Sequence, residues 1–405
     1  MTKKWCVVML VVAFVFLGST MMTAETTGKE VPKQIQKALK EADSALNDKK
    51  FDKAIEKYNE ILASEPEFAP AFFGLGKANL GLLKNDEAIA NFEKGLALSP
   101  DSLDVKKFYL QALLKMAQDG RTQGQAQVVN NCYVKISEIP GLGQMDEKLY
   151  SDILYTVGNN FYQTRNYEKA LNAYLKFAAI PNAEVTYKKF LLPVYFQTAM
   201  CYSNMGKNKE AIDYLKKLID FPGASADYNQ LYVSAYYLVG MNAAQANDFE
   251  VSNDYFNKFL ELAANSPAHQ QLISVAYKEL GANRMSMLQQ EAEKIKKDNP
   301  NDQVQKVAEF AKKFPDTETN LLKAIELNAE LEDAYMHLGN YYYFCNELEK
   351  TIETYQKLVD KFPGSNQASS YKSFLDHRKE EKVKKEAAAA EAEKAKKAPK
   401  KSPKK

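Results

Sequence analysis

The chain has 405 residues, of which 45% are hydrophobic and 26% charged, with a formal net charge of +2. That composition belongs to a folded chain with a sizeable core and excludes a collagen-like, low-complexity or wholly disordered polymer. Three scattered histidines and four widely spaced cysteines exclude a His/Cys-rich metal scaffold and a disulfide framework.

Residues 1–24, MTKKWCVVMLVVAFVFLGSTMMTA, place two lysines ahead of an apolar run and end in small residues. This is the layout of a secretory signal peptide. The run from Trp5 to Leu17 is shorter than the roughly 20 residues that span a bilayer, so cleavage after Ala24 is expected, with an N-terminal membrane anchor as the alternative. Cys6 stands at the start of the apolar run instead of following it, unlike a lipoprotein cysteine. Export, with the bacterial periplasm as destination, is the expectation. Once Cys6 has left with the signal, Cys132, Cys201 and Cys345 read as small apolar fillers on helices.

After a linker at 25–34, helix formers, Tyr and Phe dominate, and no stretch alternates apolar and polar residues long enough to make a sheet. The expected class is all-α. The segment IQKALKEADSALNDKKFDKAIEKYNEILASEP has Ala38, Ala42 and Ala45 where bulkier groups follow in later segments, as suits an end unit with one face in solvent. It closes at Pro66, and DEAIANFEKGLALSP closes at Pro100, 34 residues on. A 34-residue period is one helix-turn-helix unit. Between the two lies AFFGLGKANLGLLKN, whose GLGK resembles a phosphate-gripping loop. A phosphate loop needs a glycine where Ala71 stands and a hydroxyl where Ala78 stands, and a dinucleotide fingerprint needs a glycine at Asn79, so neither applies. The glycines are structural: Gly76 is expected to face Ala88, so that two helices approach closely, with Phe72 and Phe92 filling the space around them.

Phe72, Leu75, Gly76, Ala88, Phe92, Leu96 and Pro100 fall where a tetratricopeptide repeat places its bulky, small and helix-ending residues, and the segment resembles that family; Asn79 and Gly95 depart from it. The same pattern recurs with Gly158, Ala170 and Tyr174, with Ala199, Ala211 and Leu215, with Gly240, Ser252 and Phe256, and with Gly339, Thr351 and Tyr355. Two units are stretched, near 101–150 and 268–330. In the first, DGRTQGQ at 119–125 is expected to enlarge the turn. In the second, about 24 residues are inserted between AYKELG and TETNLLKAIELNAE, enough for an extra helix or a loop. The resemblance covers about 35–363 and implies a right-handed superhelical solenoid of antiparallel helix pairs, about eight repeats long. Ala368, Tyr371, Phe374 and Leu375 are spaced to cover the last repeat with a capping helix at 364–377. Residues 378–405 form a basic Lys/Ala/Glu tail, with twelve Lys/Arg against five Glu, which leaves net −7 for 25–377.

In such a solenoid the first helix of each pair lines an inner groove. By the repeat alignment its side chains are Phe73 and Lys77, then Tyr155, Asn159 and Tyr162, then Phe196 and Met200, Tyr237 and Met241, and finally Met336, Asn340 and Tyr343. Flexible Met beside rigid Tyr suits an extended peptide or an amphipathic helix. The resemblance implies that an asparagine such as Asn159 or Asn340 bonds the backbone of a bound peptide, while the family's lysine and arginine clamp for a C-terminal carboxylate is represented by Lys77 alone. Three scattered histidines supply no evident general base, no nucleophile sits beside one, and no cofactor motif is present, so a non-enzymatic scaffold with protein or peptide partners is expected. The alternative is weak contact of the lysine-rich tail with an anionic polymer or lipid. Nucleic acid is not expected, because the tail has no interleaved aromatic residues and export removes the chain from DNA and RNA.

Overall fold

The computed structural model describes residues 31–264, 266–298 and 301–397. The expected signal segment 1–24, the start of the linker, and Pro399 and Pro403 of the tail lie outside them. Among the described residues every regular element is a helix and no strand occurs, so the all-α expectation holds. None of these helices is long and apolar enough to cross a membrane.

The chain forms two compact units, divided between Asn160 and Phe161. In the first unit α1 (Lys33–Asn47) pairs with α2 (Phe51–Ser64), α3 (Ala69–Gly81) with α4 (Asn85–Leu98), and α5 (Leu103–Thr122) with α6 (Ala126–Ser137). A single turn, α7 (Leu142–Met145), then leads into α8 (Glu147–Gln163), within which the division falls. The second unit opens with α9 (Tyr167–Ala178) and the single turn α10 (Ala183–Thr186), followed by the pair α11 (Lys188–Asn204) and α12 (Asn208–Ile219). The single turn α13 (Ala224–Asp227) precedes α14 (Asn229–Gln245) and α15 (Phe249–Ala263). Next come the long α16 (Gln270–Asp298), α17 (Gln303–Ala311) and α18 (Asp316–Leu327), then the pair α19 (Glu332–Phe344) and α20 (Leu348–Lys361), and α21 (Asn366–Lys397).

Four of the pairs are held where a glycine on one helix lies under a ring or branched side chain of the other. A Cβ on Gly76 would fall 2.6 Å from the Phe92 ring, one on Gly240 2.9 Å from Phe256, one on Gly339 2.5 Å from Tyr355, and one on Gly281 2.4 Å from Leu321. The partner of Gly76 is therefore the Phe92 ring, not Ala88 as the sequence suggested. Ala88 is fully buried one turn earlier on α4, but it is the flat ring that fills the space a side chain at Gly76 would take. On each face the buried positions recur at helical spacing, as in Ala54, Tyr58 and Ile61 of α2.

The turns inside the pairs share one geometry. Lys49, Leu83, Gly124, Arg165, Gly206, Asn247 and Asn346 all have φ between 58° and 71°, and the N–H one residue on reaches back to close the preceding helix, as in Lys84 to Asn79 O at 2.9 Å and Glu347 to Tyr342 O at 2.9 Å. This is a Schellman ending with its left-handed residue, occupied by glycine at only two of the seven positions. The spacing of these turns is 34 residues from Lys49 to Leu83, but 41 at each of the next four steps, to Asn247. The single 34-residue period thus gives way to a longer one.

The extra length has a visible source. Ile139-Pro140-Gly141-Leu142, Ile180-Pro181-Asn182-Ala183 and Phe221-Pro222-Gly223-Ala224 each close a turn from the fourth N–H to the first carbonyl, at 3.0–3.2 Å, with φ of 74°, 55° and 77° at the third residue. Pro at the second place and a left-handed residue at the third define a type II turn. It is followed each time by the one-turn helices α7, α10 and α13, whose first residues Leu142, Ala183 and Ala224 are buried. In the unit after Pro100, Asp119 to Thr122 continue α5, and only residues 123–125 turn; the enlargement lies in a 20-residue first helix, not in the loop expected from DGRTQGQ. The insertion near 268–330 is helical: α16 runs to 29 residues and α17 folds back onto it before α18 restores the pair. At the C-terminus Ala368 and Leu375 are buried against Tyr355 and Leu358, and α21 runs on through the Lys/Ala/Glu segment to Lys397 as one helix.

Replacing Gly76 by Ala should lower stability by about 1–2 kcal/mol, because displacing the Phe92 ring outweighs the gain in helix propensity. Leu83→Gly should raise it by about 1 kcal/mol, since Leu83 is 67% exposed and holds a left-handed backbone (φ 62°) that glycine adopts freely. Urea melts of the two variants beside the parent protein check both signs.

Candidate functional site

Within each unit the first helices of successive pairs touch one another, α1 with α3 and α3 with α5 in the first, α11 with α14, α14 with α16 and α16 with α19 in the second. In each unit they form a layer, and the aligned side chains lie on it at a fixed offset, three residues before the glycine or alanine of each crossing and at helical steps after it.

In the first unit Phe73 does not line a surface. It is only 3% exposed, and a Cβ on Gly95 would fall 2.9 Å from its ring, so it fills the gap beside that second glycine. Lys77 is half-buried with its Nζ 3.9 Å above the centre of the Phe108 ring of α5. Burial holds its ammonium below the usual lysine range, against the pull of Asp43 and Asp104. Tyr155 and Asn159, on α8, are half-buried and already engaged by neighbours.

In the second unit Tyr162 is half-buried with its ring edge on Tyr167, 5.8 Å between centroids. Phe196 and Met200 stand one turn apart on α11, both half-buried, and Tyr237 and Met241 repeat that arrangement on α14. Tyr237 packs on Phe256 and Phe259 at 5.8 and 5.3 Å, and burial, with Glu279 adding, pushes its hydroxyl up to about 12. Met336 and Asn340, also half-buried, and the 43%-exposed Tyr343 on α19 are all contacted by α21. Asn340 is committed within the protein: its Oδ1 accepts from Tyr355 at 2.6 Å and its Nδ2 donates to the Tyr371 hydroxyl at 3.1 Å. These bonds hold its side chain in place and leave one N–H of the amide uncommitted among the described residues.

The layer also holds groups that the sequence reading passed over. Lys278, three residues before Gly281, pairs with Glu279; the two side chains are 15% and 16% exposed, and Glu279 acts electrostatically on Tyr237. On α19, beside Met336, His337 has a buried Nδ1 without a hydrogen-bond partner among the described residues. The offset that picks out Tyr237 and Met336 also picks out Lys278, but the inserted residues after it hid the repeat. A second surface arises from the insertion itself: Arg284, Met287, Leu288, Glu291 and Lys294 of α16 form a cleft with Phe310 and Phe314. Chemically, the layer offers apolar and aromatic contact area around an internally neutralised ion pair. Among the described residues no three His, Cys, Asp or Glu side chains are grouped to hold a metal ion. Cys132, Cys201 and Cys345 are free and buried, and burial pushes the first two thiols up to about 11 and about 12.

Profiles described as tetratricopeptide repeat match residues 39–102, 194–221 and 333–365. Among solved structures the chain is similar to YrrB, described as a TPR protein with an unusual peptide-binding site, at 16% identity over 55% of this chain and 91% of that one, with a TM-score of 0.38. It is similar to the TPR domain of P58(IPK) at 14% identity over 86% of this chain and 99% of that one, with a TM-score of 0.30. A third is the C-terminal part of a TPR repeat-containing protein from Cytophaga hutchinsonii, at 14% identity over 82% and 98% of the two chains, TM-score 0.29. A comparison with curated proteins gives no match.

Burial lowers His337 to about 4, with Asp333 opposing and Lys278 reinforcing the shift. An unfolded histidine takes its proton near 6.5, so the unfolded chain binds it first as pH falls. Stability is then complete above about 6.5 and drains away between there and about 4, by an amount on the order of 2–3 kcal/mol. Urea melts at pH 7 and 4.5 should show this loss, and His337→Leu should reduce it by that amount.

Proposed function

We propose that this chain, a tetratricopeptide-repeat protein, works as an exported, non-enzymatic scaffold that holds a peptide or helix of another protein against its first-helix layer. The observation that carries the reading is the pairing of half-buried aromatic and Met side chains one turn apart on adjacent first helices, Phe196 with Met200 and Tyr237 with Met241. Rigid rings supply contact area at low ordering cost, while Met adapts to the shape of what it meets. A half-buried position is also suited to recognition, because it is already held in place and still has a surface to cover. Tyr155, Asn159 and Lys77 extend the same reading to the first unit. Phe73 drops out of the contact set because it is core.

Export rests on the sequence of residues 1–24, and the bacterial periplasm is the compartment proposed. A second reading has its own observation: residues 394–405 contain seven lysines and no acidic residue. Such a segment attracts anionic lipid or polymer with steep salt dependence. Salt-sensitive retention of envelope components that vanishes on deletion of 378–405 would favour it.

Photoreactive groups at Tyr155 and Tyr237 should each crosslink a polypeptide in cells, and Met241→Glu should reduce capture at Tyr237 about tenfold or more by placing a charge in the apolar contact. Capture at Lys394 with none at Tyr155 or Tyr237 would overturn the scaffold reading in favour of the tail.

A further inference from the structure

The first-helix layer of the second unit has a polar break at its centre. Phe196, Tyr237 and Met336 each stand three residues before the glycine or alanine of their crossing, but the same place on α16 is Lys278. Its ammonium pairs with the next residue, Glu279, and the two side chains are 15% and 16% exposed. α16 touches α14 on one side and α19 on the other, and the pair acts on both: Glu279 on the Tyr237 hydroxyl, Lys278 on the His337 ring. One turn further along, the same offset puts Met241 of α14 and Asn340 of α19 to either side of Ala282 on α16, which is half-buried and small. The layer therefore dips beside the ion pair, between two longer side chains.

We infer, on the basis of the scaffold reading, that this dip is the specificity-determining slot of the layer and takes a side-chain amide, the Gln or Asn of a bound polypeptide whose flanking apolar residues lie on Tyr237 and Met336. Stacking of the repeats does not account for the two charges. Adjacent residues on a helix project about 100° apart, so their ion pair adds no support along a helix face and ties α16 to no neighbour. Neither group has a second hydrogen-bond or ion-pair partner among the described residues. The ammonium keeps two N–H donors, and the carboxylate keeps an oxygen. A polypeptide lying across Tyr237 and Met336 removes the water that still reaches them, and any donor or acceptor then left unpaired weakens binding. The covering group must therefore accept from Lys278 and donate to Glu279. A carboxylate does only the first, and it adds negative charge to a cluster on which Glu279 and Asp333 already act. A lysine or arginine does only the second, against the charge of Lys278. A primary amide does both and leaves the slot neutral, because His337, lowered to about 4 by burial, carries no charge at neutral pH. The recess over Ala282 is the way in for a side chain of that length.

Selection of a phage-displayed library of random peptides on the full-length protein tests this, beside selection on Lys278→Met/Glu279→Leu, which replaces the ion pair by apolar groups of similar size. Peptides taken by the parent should carry Gln or Asn at one place beside apolar residues, about fivefold or more above the library frequency, and the double variant should lose that preference. A parent-selected peptide, synthesised with a fluorescein label, should bind the parent about tenfold or more weakly when its amide residue is changed to Glu or Leu, and should bind the double variant equally in all three forms. Ala282→Leu, which fills the recess and leaves the charges in place, should weaken the amide peptide about tenfold or more, and it decides the matter if the double variant does not fold. Peptides without an amide preference, an acidic residue in that place, the same preference on the double variant, or no peptide selected by the parent would each refute the slot. Crosslinking at Tyr155 and Tyr237 reads contact whatever its chemistry, so capture there without an amide preference removes the slot and leaves the scaffold standing.

Discussion

The structure depends on one close approach repeated along the chain, in which a backbone position with little or no side chain accepts a ring or branched group from the partner helix. Gly76 under Phe92, Gly240 under Phe256 and Gly339 under Tyr355 are each sixteen residues apart, and the same spacing links the buried pairs Ala42 and Tyr58, Ala117 and Tyr133, and Ala199 and Leu215. Because the crossing sets how near two helices come, it fixes where each face points and which side chains are left for the first-helix layer. A mid-helix glycine costs up to about 1 kcal/mol in propensity, and burial of a full ring against it offsets that cost.

That constraint also explains what could be read in advance. The recurrence of Gly or Ala with a large residue sixteen places on made the helix pairs legible, and with them the all-α class and the layer holding Tyr237 and Met241. The partner of Gly76 was not legible, since spacing within one helix orders its own faces but does not say which atoms of the neighbour fill a gap. The 41-residue period was present in the sequence as Ile-Pro-Gly, Ile-Pro-Asn and Phe-Pro-Gly at equal intervals, but its meaning rests on a type II turn that helical periodicity does not report. The surroundings of Asn340 were not legible either: two tyrosines from α20 and α21 converge on it, a fact of tertiary packing that the alignment of repeats does not contain.

The abundance of tyrosine follows from the same architecture. Where a ring reaches past the crossing, its hydroxyl meets a carboxylate on an adjoining helix: Tyr58 donates to Asp43 at 2.6 Å, Tyr109 to Glu93 at 2.8 Å and Tyr342 to Glu318 at 2.7 Å. Lys135 and Lys350 add ion pairs to Glu93 and Glu318. Each such tyrosine joins apolar filling to a charge-assisted bond that phenylalanine would lack, so the rings pin the sliding of one helix along another as well as their separation.

Between Gly281 and Leu321 the chain takes 40 residues where other pairs take sixteen, yet the crossing closes as tightly as the rest. The surplus has grown outward along the helix axis, as added turns of α16 and the returning α17. Growth in that direction leaves the contacts with neighbouring pairs in place, and it has given one pair a phenylalanine-lined recess of its own. A fold assembled from local crossings can therefore diversify one module at a time, each acquiring a private surface while the shared layer is preserved.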